Sequence, residues 1–246
     1  MRVGICLYGQ PRNYKEGCKN IMEYINRNKD IEFDIFFHTW VSDKKFEASP
    51  WRKINDEELI FEKEILMKDL IELYSPKKHI FENVIDSFDT NFLKESLIYK
   101  NTPSKHINNL YNTLSQMYSR NQVRNIFEEY INETNIHYDF VITTRFDCVK
   151  KIYFSFDQID NKKAYVGSAH KLLIPDIFII APINMYLKWM EVFHLEKLMN
   201  DDLLEERLKK IGVGFELNPE QIITACFYYY FDEKDIIYSP DILHVV

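Results

Sequence analysis

An arginine and an aspartate lie two residues apart at the end of the most strand-like stretch of the sequence, residues 138–148. Residues 140–144 are all β-branched or aromatic, which predicts a short buried strand, and Arg145 and Asp147 follow it directly. Alternate residues of an extended chain point to the same side, so we expect both side chains to share a face there. That face would lie at the carboxyl end of the strand, where ligands bind in open α/β sheets.

The chemistry that this pair of side chains suggests is the binding of a diphosphate. A guanidinium group binds a phosphate through two parallel hydrogen bonds, and a carboxylate holds the divalent cation that bridges phosphate oxygens. Arg145 and Asp147 together therefore predict a diphosphate-linked substrate, such as a nucleotide sugar. The alternative is an ion pair that closes the strand end and has only a structural role.

The turn after the first strand-like run carries a second set of candidates. Residues 2–8 are almost wholly apolar, as is typical of a buried parallel strand, and Gly9, Gln10, Pro11 and Arg12 come next. We expect this turn to place backbone N–H groups and the side chain of Arg12 above the strand, as a nucleotide cradle would. Because the complete dinucleotide and Walker fingerprints are absent, an ordinary strand-to-helix loop is the alternative.

Four polar residues outside these two motifs are further candidates. His38 closes an apolar run and is either a ligand contact or a hydrogen-bonded packing residue. Gln116 and Ser119 lie near the middle of the clearest helical pattern, where they face a ligand or simply solvent. Asp176 lies at the start of another apolar run, which prolines flank on both sides.

Glu220 follows Asn218 and Pro219, a pair that is typical of a helix start, with Asn218 as the cap and Pro219 in the first helical position. A carboxylate in the first turn suits the helix dipole, which gives Glu220 a structural explanation beside a catalytic one.

Strand and helix patterns alternate along the chain, and this alternation favours an α/β fold with a mostly parallel sheet. Apolar periodicity predicts the following strands: 2–8, 33–40, 77–81, 140–144, 164–167, 175–182, 236–238 and 242–246. Helical spacing predicts the following helices: 14–26, 56–74, 110–131, 184–195, 201–210 and 222–231. We expect residues 201–210 to be exposed, and residues 86–103 have no clear pattern.

Composition limits the class of protein. A chain of 246 residues is long enough for one large domain, and we find no clear linker. The formal net charge of -7 disfavours nonspecific nucleic-acid binding. The cysteines are scattered, with no CxxC spacing, so neither zinc nor a disulfide framework is expected. The sequence shows no signal peptide and no membrane span, so we expect a cytoplasmic protein.

Five short motifs together resemble bacterial sugar transferases of the GT-A type, which are found in capsule and lipopolysaccharide clusters. The motifs are residues 9–12, 36–40, 115–119, 141–147 and 176–178. Such enzymes carry Asp-x-Asp at the end of a central strand, where it holds a divalent metal and the nucleotide diphosphate. Here Arg145 occupies the place of the first aspartate. Either Asp147 alone holds Mn²⁺ or Mg²⁺, or Arg145 itself neutralises the diphosphate.

The resemblance implies a GT-A-like, Rossmann-type sandwich formed by a single domain, with residues 1–148 as the nucleotide-binding half and 149–246 as the acceptor-side half. It implies transfer of a sugar from a nucleotide-sugar donor to a cell-surface glycan, with peripheral membrane association through a lipid-linked acceptor. A nucleotidyltransferase and a non-catalytic nucleotide-sugar-binding protein are the alternatives.

The resemblance also implies roles for the candidate residues. Asp176 and Glu220 would be catalytic, His38 being a third candidate for the base, and Asp176 fits sugar contact better than proton transfer. Asp147 would bind the metal. The donor would be held by Gly9, Gln10, Arg12, His38, Gln116, Ser119 and Arg145.

Overall fold

The computed structural model describes residues 1–42, 46–47, 60–103, 110–148, 151–157, 159–168, 173–191, 198–239 and 242–244. A seven-stranded sheet forms its centre. In chain order its strands are β1 (Arg2–Gly9), β2 (Glu32–Val41), β5 (Lys78–Asn83), β6 (Phe140–Arg145), β8 (Ala164–Val166), β9 (Phe178–Pro182) and β10 (Ile236–Tyr238). Their spatial order is β10-β8-β9-β6-β1-β2-β5. All neighbours pair in parallel except at β9, which runs against both β6 and β8.

Helices cover both faces of this sheet. They are α1 (Tyr14–Arg27), α2 (Lys63–Tyr74), α3 (Asn91–Lys94), α4 (Leu97–Asn101), α5 (Leu110–Thr134), α6 (Ile183–Trp189), α7 (Asp202–Lys210) and α8 (Pro219–Tyr230). The α/β class predicted from the sequence, a mixed and mostly parallel sheet flanked by helices, is therefore confirmed. None of the helices within the described ranges is long and apolar enough to cross a membrane.

The alternation of side chains along β1 explains why this strand is apolar from Val3 to Tyr8. Val3, Ile5 and Leu7 belong to the core on the side of α1 and α2, whereas Cys6 and Tyr8 belong to the core on the side of α5. A strand that is buried on both faces favours apolar side chains on both of them, so this part of its sequence reads as a continuous apolar run.

Two small sheets complete the fold, and they account for some departures from the predicted elements. One joins β3 (Phe46–Glu47) to β4 (Ile60–Phe61), and the other joins β7 (Lys151–Ile152) to β11 (Leu243–His244). The helix predicted over 56–74 therefore begins only at Lys63, after β4, and its residues 56–59 lie outside the described ranges.

The ends of two other predicted elements also fall outside the described residues. The helix predicted over 184–195 is described to Trp189, and its residues 192–195 lie outside. The strand predicted over 242–246 is a strand at Leu243–His244, and residues 245–246 lie outside. Helix α7 was expected to be exposed, but Leu204 and Leu208 are buried on one of its faces.

Candidate functional site

The parallel pairing of β1, β2 and β6 brings three predicted motifs to one edge of the sheet. Gly9, the last residue of β1, pairs with Thr39, and Tyr8 pairs with Arg145 at the end of β6. Because β9 runs in the opposite direction, Asp176, two residues before its first residue, lies at this same edge. Residues from distant parts of the sequence therefore meet where the carboxyl ends of the parallel strands lie.

A cavity of about 490 Å³ opens at this edge. Such a volume lies within the range of small-molecule sites. Its walls include seven predicted site residues: Gly9, Gln10, Arg12, Gln116, Arg145, Asp176 and Glu220. The other lining residues were not among the predicted site residues: Tyr8, Trp40, Asn112, Thr113, Ser115, Leu217, Asn218 and Pro219.

Arg145 and Asp147 form a two-pronged ion pair at the base of the cavity. The guanidinium group donates from Nε to Oδ1 at 2.7 Å and from Nη2 to Oδ2 at 2.6 Å. Arg12 reaches the same carboxylate, with its Nη2 3.2 Å from Oδ2. Burial alone would lower the pKa of Arg145, but the neighbouring carboxylates outweigh it and raise that pKa, so Arg145 remains charged.

Asp176 receives two hydrogen bonds on one oxygen. Gln116 Nε2 donates to Oδ2 at 2.7 Å, and Arg145 Nη1 donates to it at 3.1 Å. Among the described residues no hydrogen bond reaches Oδ1. Burial favours the protonated acid, but the positive charges of Arg145 and Arg120 and the bond from Gln116 outweigh it, and the pKa of Asp176 lies below its usual value. Asp176 is therefore an ionised carboxylate whose second oxygen can accept a ligand hydroxyl.

A buried arginine lies beneath the cavity. Arg120 of α5 is 1% exposed, and its guanidinium carbon lies 4.0 Å from the centre of the Tyr8 ring. Its Nη2 donates to the Tyr8 hydroxyl and, at 2.6 Å, to the backbone carbonyl of Asp176. The sequence offers one signal for this residue: it lies three residues after Met117 and three before Val123, on the apolar face of the helix.

Ser119 and His38 form a hydrogen-bonded column below the Gly9 turn. Ser119 Oγ accepts the backbone N–H of Gly9 at 2.7 Å and lies 2.7 Å from His38 Nδ1, while His38 Nε2 lies 3.0 Å from Glu82 Oε2. Burial lowers the pKa of His38, which keeps the imidazole neutral. In the tautomer that satisfies both contacts, Ser119 donates to Nδ1 and Nε2 donates to Glu82.

The three remaining predicted residues do not line the cavity. His38 and Ser119 are both 0% exposed and do not line the cavity. Ser119 accepts the N–H of Gly9 and His38 contacts Ser119, so both side chains support the glycine turn from below and neither is accessible to a ligand. Asp147 lies behind Arg145, with its side chain 11% exposed.

The geometry of Asp147 does not fit a divalent metal centre. Both of its oxygens already accept guanidinium N–H bonds, and a cation there would share them with two positive charges. Within the described residues no group of three or more His, Cys, Asp or Glu side chains could hold a metal ion. Within the described residues, the positive charge beside Asp147 comes from the guanidinium groups of Arg145 and Arg12.

The start of α8 also lines the cavity. As the sequence predicts, Asn218 caps the helix, its side chain accepting the N–H of Gln221 at 2.9 Å, and Pro219 occupies the first turn. Glu220 lines the cavity and is exposed, which makes it the accessible carboxylate at the rim. The partial positive charge of a helix N-terminus also favours an anionic ligand on this side.

Comparisons with known proteins leave this site to be interpreted from its own chemistry. No family model matches the chain, and a search of curated proteins finds no match.

Proposed function

We propose that this chain is a glycosyltransferase that moves a sugar from a nucleotide-sugar donor to a cell-surface glycan of the capsule or lipooligosaccharide kind. One observation carries the proposal. A single cavity at the carboxyl ends of parallel strands is lined by a glycine turn, by two arginines and by the carboxylates of Asp176 and Glu220. The arginines suit a diphosphate, and ionised carboxylates suit the hydroxyl groups of a sugar.

The reaction needs two kinds of assistance. The acceptor oxygen forms a bond to the anomeric carbon while the bond from that carbon to the diphosphate breaks, and the electron pair leaves with the diphosphate. Arg145 and Arg12 stabilise the charge that develops on this leaving group. The proton of the acceptor hydroxyl passes to a base.

Glu220 is the residue we assign as the base. A general base works best when its pKa lies near the working pH, and the lowered pKa of Asp176 makes that carboxylate a weak proton acceptor. Asp176 instead orients a sugar hydroxyl through Oδ1. Glu220 lies at the exposed rim, where an acceptor would approach.

The proposed function defines the partners and the place of action. The donor is a nucleotide sugar and the acceptor is a glycan, with no role for nucleic acid. Because nucleotide sugars are cytoplasmic substrates, we place the protein in the cytoplasm. When the acceptor is linked to lipid, it acts at the inner face of the membrane as a peripheral protein.

The test is turnover of a panel of nucleotide sugars by the whole chain and by Glu220→Gln. Release of nucleoside diphosphate is measured with glycan acceptors present. We expect wild-type turnover, and a fall of about 10²- to 10⁴-fold in kcat for Glu220→Gln with unchanged donor affinity. Glu233→Gln is the matched control, because Glu233 is an exposed carboxylate outside the cavity.

Other outcomes separate the alternatives. Tight donor binding without turnover on any acceptor would favour a non-catalytic binding protein. Consumption of a nucleoside triphosphate with release of pyrophosphate would favour a nucleotidyltransferase. Full turnover by Glu220→Gln would remove Glu220 from the mechanism and leave the transferase proposal standing.

A further inference from the structure

We propose that the cavity binds a pyrophosphate group through arginine alone, with no divalent cation, and that Asp147 is a positioning residue for Arg145 and Arg12. This inference rests on the proposed donor class, because it states how the diphosphate of such a donor is held. It reverses the role that the GT-A resemblance implies for the acidic residue at this strand end.

The hydrogen bonds of Arg145 support this assignment. A guanidinium group has five N–H donors. Nε and Nη2 each donate one bond to Asp147, and Nη1 donates one to Asp176. The described residues thus occupy three of the five, and two remain for a ligand. The side chain is 23% exposed and lines the cavity, so the remaining donors belong to an arginine already fixed in place.

The preorganisation of this arginine has a functional consequence. A long side chain that is immobilised only when the ligand arrives loses conformational entropy at that moment, which weakens binding. Two carboxylates hold Arg145 before any ligand enters, and one of them, Asp147, also contacts Arg12. The two arginines are thereby held on the same side of the cavity base.

The balance of charge points the same way. Among the described residues, the guanidinium groups of Arg12, Arg120 and Arg145 lie around the residues Asp147 and Asp176. A diphosphate is negatively charged and would complete this arrangement. A divalent cation at Asp147 would instead add two positive charges beside two guanidinium groups that occupy the same oxygens.

The decisive measurement uses the wild-type chain and needs no variant. Binding of inorganic pyrophosphate, and separately of UDP, GDP, ADP and CDP, is measured by isothermal titration calorimetry, in EDTA and then with Mn²⁺ or Mg²⁺. We expect pyrophosphate and at least one nucleotide to bind in EDTA, with affinity that changes less than about threefold when metal is added. We also expect the affinity to weaken with rising salt, because charge-dominated binding is screened.

A substitution of Asp147 gives a second measurement, whose dependence on metal differs between the two roles. Asp147→Asn keeps the shape of the side chain but replaces one of the two oxygens that accept N–H bonds from Arg145 with an NH₂ group, which cannot accept them. Arg145 is then held less firmly, so we expect affinity to weaken by the same factor in EDTA and in Mn²⁺. Were Asp147 a metal ligand, the same change would weaken binding only when metal is present. Asp202→Asn is the matched control, since Asp202 is a surface aspartate of α7 that does not line the cavity.

The outcomes separate this inference from the proposed function. Binding that requires Mn²⁺ or Mg²⁺, or an affinity of Asp147→Asn that falls only when metal is present, overturns the inference and leaves the transferase proposal intact. Binding in EDTA without sugar transfer to any acceptor supports the inference and counts against the transferase. No binding of any of these anions, with or without metal, overturns both.

Discussion

Replacing Ser119 with alanine tests whether the buried column beneath the cavity anchors the glycine turn. The hydroxyl accepts the N–H of Gly9 at 2.7 Å and lies 2.7 Å from His38 Nδ1. Ser119 is 0% exposed, so water cannot readily take its place. Ser119→Ala would leave two polar groups without their partner, one on the backbone of the turn and one on the imidazole.

The magnitude follows from those two groups. A buried polar group that loses its partner costs about 1–3 kcal/mol, and one of the two groups here is only partly buried. We therefore expect the free energy of unfolding to fall by about 2–4 kcal/mol. In a chain of this length the melting temperature should fall by on the order of 10 °C. Because Gly9 lines the cavity, donor affinity should weaken as well.

Urea unfolding followed by tryptophan fluorescence measures this change, provided the slope of the transition is unaltered. Ser115→Ala is the matched control. Ser115 lies on α5 one turn before Ser119 and is half-buried, and its side chain makes no hydrogen bond in the described structure. Removing the Ser115 hydroxyl should therefore change the free energy of unfolding by less than about 0.5 kcal/mol. Equal stability of the two variants would refute the claim that Ser119 anchors the turn.

Two further substitutions test the parts of the fold that fix the acidic residues. Asp176→Asn should lower stability by about 1–3 kcal/mol at neutral pH. Since the pKa of Asp176 is lowered on folding, its charge stabilises the fold above about pH 4 and this contribution is lost as pH falls through the folded-state pKa. Urea midpoints across pH should therefore converge for wild type and variant in acid, and a constant gap would contradict this assignment. Gly17→Ala should destabilise by about 3 kcal/mol or more, since its Cβ would lie 1.8 Å from the carbonyl oxygen of Phe146. Thermal unfolding measures that loss, Lys19→Ala on the same helix is the control, and wild-type stability of Gly17→Ala would disprove the close contact.

Local patterns predicted much of this fold because the inner strands of the central sheet, such as β1, β6 and β9, are buried on both sides. Strand β1 is apolar from Val3 to Tyr8, and this run is visible in the sequence without any knowledge of the strand's partners. The helix start at Asn218 and Pro219 could also be predicted from the sequence, because a helix cap depends on residues that are close together in the chain. The predicted elements that differ, such as the late start of α2, depend on pairing between β3 and β4, which periodicity does not reveal.

The position of a residue relative to the cavity was harder to predict than its presence near the site. His38 and Arg145 both lie at or near the ends of parallel strands, yet one is buried beneath the turn and the other lines the cavity. The difference is set by what packs above each strand end, which is a matter of tertiary contacts. Arg120 escaped prediction for the related reason that a charged residue on an apolar helix face becomes meaningful only when its partners, Tyr8 and the backbone of Asp176, are known.

The two interpretations of Arg145 and Asp147 that the sequence leaves open, an ion pair and a phosphate site, are compatible in this structure. An exposed ion pair would contribute little to stability, and its arginine would be free to move. Here the pair is largely buried, the arginine is held by a second carboxylate, and Arg145 lines a cavity. An ion pair of this kind fixes the guanidinium group of Arg145 in the position where an anionic ligand would bind. The proposed phosphate site therefore depends on the ion pair, and the acidic partner contributes to anion binding by orienting the arginine, while its own charge opposes the ligand.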